Sequence, residues 1–346
     1  MATAVESTKT LPSSRPGHDV RTLTGVQVLS IGSYAPEQRV CNEDLAALGY
    51  DDQWIVQRTG IRERRRAPAE MATSDLAWEA SRRCLDQAGV SASDVDLVIV
   101  ATVTPDSPMP STACHLQRML GTRGPSMDVN AACSGFIYGL ITAAQFIRTG
   151  CSRRALVVGA ETMTRIVNPA DKKTYPLFGD GAGAALLGAG SSEQGFLAYS
   201  MGSDGHGAQL LGVPGGGSRE PLTHEGLTAG RQFIRMDGRS VFKWAVRTVA
   251  DTTLDVLAHA HVAPGSVDVV ALHQANERII NAIVDDLGFH RDKVLVNVDK
   301  YGNTSAASVP LALDEAQSQG RLTPGSLVLM SGFGAGLTWG TALFRW

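Results

Sequence analysis

One stretch of this chain is written twice, and that repeat limits the folds open to it. GVSASDVDLVIVA at 89–101 aligns with HVAPGSVDVVALH at 261–273. In both, a helix ends, a short polar turn follows, and an apolar strand begins with Val-Asp. RRALVVGAE at 153–161 likewise resembles GSLVLMSGF at 325–333. DVNAACSGFIYGL at 128–140 and VNVDKYGNTSAASVPLAL at 296–313 hold comparable places in the same order. Two pseudo-equivalent halves are expected, with a site between them.

Around these anchors the chain alternates helix-like and strand-like segments. Residues 74–89 read as an amphipathic helix ending at Gly89, and 111–120 as another. Residues 240–260 carry Phe242, Ala245, Val246, Val249 and Leu254 at helical spacing. Residues 95–101, 155–160, 182–189, 267–272 and 327–332 read as buried strands. Repeated helix–strand units predict an α/β architecture of central sheets covered by helices. At 346 residues the chain exceeds the size at which single cores tend to stop growing. The expected division is a flexible extension at 1–22, an N-terminal half at 23–190 and a C-terminal half at 191–346.

Charge and cysteine usage exclude some functions. A formal net charge of -3 leaves no general footprint for nucleic acid or an anionic membrane. No run is apolar enough to span a bilayer. The start, MATAVESTKTLPSSRPGHD, lacks an apolar core and is not a secretory signal; Glu6 and Pro12 weaken a transit-peptide reading. Cys41, Cys84, Cys114, Cys133 and Cys151 form no CxxC pair, so neither a zinc site nor a disulfide framework is indicated. A reducing cytoplasm is the simplest setting. The basic run Arg62, Arg64, Arg65 and Arg66 is either a solvated loop or a contact for phosphate or an acidic carrier.

Cys133 has the most suggestive surroundings. Val129 closes a strand-like stretch, and Ala131, Ala132, Ser134 and Gly135 surround the cysteine with small residues. The chain beyond runs helical to Gly150. A thiol at a helix start meets unpaired N–H groups and a positive field, which lower its pKa. The same thiol could be a small buried hydrophobe; Cys84, on a helix's apolar pattern, reads that way. His273, just past a buried strand, is a base, a hydrogen-bond donor or a structural histidine. Asn303 is a turn or cap residue, or a polar partner brought to the Cys133 cavity by the repeat. FGDGAGAALLG at 178–188 and SGFGAG at 331–336 lack a Walker lysine. They are tight turns, or the floor of an oxyanion hole.

The chain from about Gly25 to Trp346 resembles the β-ketoacyl-acyl carrier protein synthase III family of the thiolase-like superfamily. The resemblance rests on WIVQRTGIRERR at 54–65, AACSGF at 131–136, LFGDGAGA at 177–184, HQANERI at 273–279, GNTSAAS at 302–308 and FGAGLTWG at 333–340. It implies a five-layer α-β-α-β-α fold from two similar halves, in a homodimer. It implies a Cys133–His273–Asn303 triad and an oxyanion site at the backbone N–H groups of Cys133 and Ala335. Cys133 would take an acyl group from acyl-CoA; malonyl-acyl carrier protein would then be decarboxylated and condensed, with no metal or redox cofactor. Trp54, Arg58, Phe242, Asn276 and Arg278 match coenzyme A or carrier contacts. Lys172 and Lys173 stand where an Arg-Gly pair is common, keeping charge but losing a planar fork. Met109 stands where Phe often closes the partner's primer pocket, and its flexibility suggests a primer other than acetyl. Rival readings are a related condensing enzyme or acyltransferase of specialised metabolism, and a noncatalytic acyl-carrier binding protein.

Overall fold

A computed structural model describes residues 18–346. Most of the expected extension at 1–22 lies outside the described residues, but its end is already structured. Arg21–Thr24 is a strand paired antiparallel with Gly195–Ser203, and His18 Nδ1 meets Asp255 at 2.9 Å. Order therefore begins ahead of Leu23, because these residues complete a sheet edge of the C-terminal half.

Two five-stranded sheets form the frame. The first runs Val26–Tyr34, Asp180–Ala189, Arg154–Thr162, Leu97–Ala101 and Ser126–Val129; the last three strands are mutually parallel. The second runs Arg21–Thr24, Gly195–Ser203, Thr338–Arg345, Leu327–Gly334 and Val269–Leu272, with the last two parallel. The second sheet's counterpart of Ser126–Val129 is reduced to a bridge between Val270 and Val294.

Burial on both faces explains the unbroken apolar strands. Leu97, Ile99, Ala155 and Val157 face the middle of the molecule, as do Val269, Ala271, Val328 and Met330 of the second sheet. There they pack on the helices Gly135–Arg148 and Ser308–Ser318. The alternate residues Val98, Val100, Leu156 and Val158 pack outward on Thr73–Ala88 and Thr112–Leu120. Val270, Leu272 and Leu329 pack outward on Gly238–His259 and Glu277–Leu287. The order is helix, sheet, helix, sheet, helix, as the five-layer expectation required.

The repeat is real, with one correction of register. The predicted match of 153–161 with 325–333 pairs Gly159 with Ser331. In the fold Gly159 corresponds to Gly332. Both face the central helices, and a Cβ on either would press on the start of one: 2.3 Å from the Ala306 carbonyl oxygen, or 2.9 Å from that of Cys133. A slip of one residue would have sent these side chains to opposite faces.

Candidate active site

NAACSG at 130–135 and NTSAAS at 303–308 fold alike, residue for residue. Ala131 and Thr304 have φ/ψ of -130°/32° and -97°/25°. Ala132 and Ser305 then turn left-handed, at φ 48° and 49°. One short 3-10 turn follows in each, then a helix beginning at Gly135 or Ser308. The counterpart of Cys133 is thus Ala306, and that of Asn303 is Asn130. The two halves present the same elbow; only one carries a thiol.

Cys133 sits in that elbow, 8% exposed. The hairpin of the second sheet closes against it: a Cβ on Gly334 would lie 2.7 Å from the Cys133 nitrogen. Thr338 Oγ1 ties this hairpin to the elbow, lying 2.9 Å from the Ala131 carbonyl and 3.0 Å from that of Ala335, which share its one proton, and 2.9 Å from Ser134 Oγ. The Ala335 N–H meets no backbone carbonyl among the described residues, the Cys133 N–H faces its own thiol, and both residues line one cavity. The expectation of a lowered thiol pKa fails. Burial pushes the Cys133 thiol up to about 12; the Ser305 hydroxyl opposes this, and the Glu161 charge adds to it. The helix start gives the thiol its direction, while the resting group is neutral.

The same cavity, about 1170 Å³, holds His273 and Asn303. His273 is buried at the end of Val269–Leu272, edge-on to Phe333 at 5.1 Å. Its Nδ1 lies 2.6 Å from Ser308 Oγ. Ser308 Oγ already accepts from the Gln274 N–H at 3.3 Å, and Nδ1 is the only acceptor shown for its own proton. Ser308 therefore donates to Nδ1, leaving Nε2–H as a donor. Asn303 Oδ1 accepts the Ser305 N–H at 2.8 Å, which leaves the Asn303 NH2 group to donate.

Burial pushes His273 down from 6.5 to about 3. A histidine depressed on folding supports the fold fully above its unfolded pKa, and that support is lost as pH falls from about 6.5 toward 3. Thermal melts should therefore show a smaller loss of Tm between pH 7 and pH 4.5 in His273→Gln than in the parent. Glu161, raised by burial to about 7, contributes the opposite slope, but equally in both proteins. Equal slopes would contradict the assignment.

The cavity mouth is basic and amphipathic. Trp54 and Arg58 stand on the helix Asp52–Thr59, with the guanidinium 4.7 Å from the ring centre. Lys172, Lys173 and Phe242 line the same opening. Lys172 Nζ is held by the Gly49 carbonyl at 2.8 Å, while the carboxylate of Asp237, lowered chiefly by the Ser240 hydroxyl, also feels the charge of Lys173. Asn276 lines the cavity, but its amide already bridges Arg58 O and the Arg278 N–H. Arg278 itself is exposed and outside the cavity wall, as is Met109, 86% exposed. Neither reaches the site within one chain.

The basic run is mainly structural, with only Arg62 left exposed. Arg64 is buried and donates to the carbonyls of Val40 and Pro176 and to Asn42. Arg65 is bound by Pro36 O and Arg66 by Tyr175 Oη. Arg235 and Arg239, which line the cavity mouth, escaped the sequence reading. So did Ser305, Ser308 and Glu161. An acidic residue closing the apolar run ALVVGAE was the available signal for Glu161. Among the described residues no His, Cys, Asp and Glu cluster could hold a metal ion, and no helix is long and apolar enough to cross a membrane.

Residues 127–205 match the family model for 3-oxoacyl-[acyl-carrier-protein (ACP)] synthase III, and 257–346 match the model for its C terminal region. A beta-ketoacyl-[acyl-carrier-protein] synthase III of Rhodopirellula baltica is 55% identical over 342 residues, covering 94% of this chain and 99% of the relative. A relative of the same name from Caldanaerobacter subterraneus is 48% identical, with 92% and 97% covered. The crystal structure of 3-oxoacyl-[acyl-carrier-protein] synthase III from Aquifex aeolicus VF5 has a TM-score of 0.86 at 41% identity, covering 93% of this chain and 100% of that one. The priming beta-ketosynthase from the R1128 polyketide pathway also reaches 0.86, at 35% identity, with 96% and 98% covered.

Proposed function

The chain belongs to the β-ketoacyl-[acyl-carrier-protein] synthase III family, and from that membership we propose that it initiates fatty acid synthesis by condensing an acyl-CoA primer with malonyl-acyl carrier protein. One observation carries the assignment of roles. Cys133, His273 and Asn303, from three distant stretches, line one cavity whose mouth holds Trp54, Arg58 and Lys173.

Cys133 Sγ attacks the acyl-CoA carbonyl, with the N–H groups of Cys133 and Ala335 receiving the oxyanion. The bond to the coenzyme A sulfur breaks, and the thiol proton leaves with coenzyme A. Malonyl-acyl carrier protein then enters. Its carboxylate departs as CO2, and the bonding electron pair becomes an enolate on the thioester oxygen. His273 Nε2–H and the Asn303 NH2 group donate to that oxygen. The carbanion attacks the acyl-cysteine carbonyl, a carbon–carbon bond forms, the bond to Sγ breaks, and the Cys133 thiolate takes one proton from solvent. The steps balance without metal or redox cofactor. A neutral His273 suits them, because the enolate needs a donor.

At the mouth, Trp54 stacks on the adenine of coenzyme A, and Arg58, Lys172 and Lys173 meet its phosphates. Phe242 and Asn276 flank the pantetheine arm. Arg278 meets the acidic carrier protein from outside the cavity. Met109 belongs to a homodimer contact in which it closes the partner's primer pocket; its exposure and the outer edge of Ser126–Val129, which pairs with no strand among the described residues, support that arrangement. The setting is the cytoplasm. Incubating purified protein with malonyl-acyl carrier protein and acetyl-, branched- or medium-chain acyl-CoA, read by product mass, tests both halves of the reading. One β-ketoacyl-acyl carrier protein per turnover is expected, with primers beyond acetyl accepted. A strict acetyl preference would sink the Met109 argument. Absence of condensation would sink the reaction. The likeness to the priming ketosynthase favours one alternative, a starter-forming condensation in specialised metabolism; acceptance of a polyketide carrier protein in preference to the fatty acid one would mark it.

A further inference from the structure

Glu161 takes no part in the steps above, yet donors surround it. It lies near the end of Arg154–Thr162, fully buried. Its Oε2 accepts from Thr104 Oγ1 at 2.6 Å, Thr104 N at 3.1 Å and Thr102 Oγ1 at 3.2 Å. The Val103 N–H is 3.2 and 3.1 Å from the two oxygens. These donors all belong to the N-terminal half. The remaining one does not: Ser305 Oγ, from the elbow of the other half, donates to Oε1 at 2.9 Å.

Ser305 connects this carboxylate to the Asn303 amide. Its own N–H holds Asn303 Oδ1. Its backbone is left-handed, a conformation that a residue with a side chain adopts at a cost and keeps only when its surroundings enforce it. Ala132 holds the same turn in the other elbow with no hydroxyl, so the bond to Glu161 is not needed to make the turn; it is a direct tie that fixes where this turn sits against the other half. If the bond is lost, the Ser305 N–H can drift and the Asn303 amide with it. An oxyanion donor displaced by even a fraction of an ångström loses much of its effect.

We propose that Glu161 is a positioning residue, acting through the Ser305 hydroxyl to hold the Asn303 amide with its NH2 group turned toward the cavity. This rests on the role given above to Asn303. It crosses the boundary between the halves: a carboxylate of one elbow's half sets the geometry of the other elbow. A plain structural crosslink is the competing account, and the two differ in what fails.

The test isolates the second half-reaction. Each variant is loaded to completion with acyl-CoA, checked by intact mass and freed of coenzyme A, then mixed with malonyl-acyl carrier protein for a single turnover. Full loading removes any effect of the Ser305 hydroxyl on the free thiol. Ser305→Ala and Glu161→Gln should each slow the turnover about tenfold. Adding either change to Asn303→Ala should slow it no further, because both act through that amide. Should Glu161→Gln not fold, Ser305→Ala carries the test, since it leaves the carboxylate with its other donors. Unchanged turnover in Ser305→Ala, or losses that multiply with Asn303→Ala, would overturn the proposal. If Asn303→Ala itself turns over like the parent, the role of Asn303 is what fails.

Discussion

Cys133→Ala should gain no acyl mass when incubated with acyl-CoA, while the parent gains one acyl group per chain. The expectation follows from the two elbows. Each offers a helix start, small neighbours and a left-handed turn, but the second holds Ala306 where the first holds Cys133. No other cysteine lines the cavity. Cys84 is buried with its thiol against Ser30, and burial pushes it up to about 12. Cys114 and Cys151 are exposed, away from the cavity. Loading at the parent level in the variant would remove Cys133 from the mechanism. Alanine leaves no sulfur to form the thioester, so the loss is complete whatever the protonation state of the thiol.

The second large effect separates the half-reactions. Asn303→Ala should load acyl groups normally, because the loading oxyanion is received by backbone N–H groups. Condensation should fall by about 10² to 10³, the cost of removing one directed oxyanion donor, about 2.7–4 kcal/mol. Intact mass follows the loading and CO2 release follows the condensation. A variant that loses both equally would make Asn303 a structural residue of the elbow. His273→Ala should behave in the same direction, since its Nε2–H is the companion donor.

Much of this was legible in the sequence where local chemistry and repetition coincide. The strand Leu97–Ala101 and its counterpart Val269–Leu272 announce themselves as apolar runs after a polar turn, since both faces are covered. The Cys133 elbow was readable from its small residues and the strand before it. Other features depend on what lies across the fold. The register of Gly159 on Gly332 is set by close backbone approach, which a count of apolar residues cannot detect. The thiol's high pKa comes from burial and from Glu161, not from the helix that follows it. Arg64 reads from sequence as part of a solvated loop or of a phosphate or carrier contact, yet the carbonyls that hold it belong to Val40 and Pro176, brought to it by the fold. Glu161 was missed because its partners are two threonines, the Val103 N–H and a serine of the other half, none distinctive in sequence.

The central claim is that one acyl group travels from acyl-CoA to Cys133 and from there to the malonyl carbon. The direct measurement is a pulse and chase with an isotopically labelled acyl-CoA. After the pulse, peptide mapping by mass spectrometry should find the label on the peptide containing Cys133. After the chase with malonyl-acyl carrier protein, the label should leave that peptide and appear in β-ketoacyl-acyl carrier protein, with one CO2 released per label transferred. Label on any other residue, or product formed while the label stays on Cys133, would contradict the account.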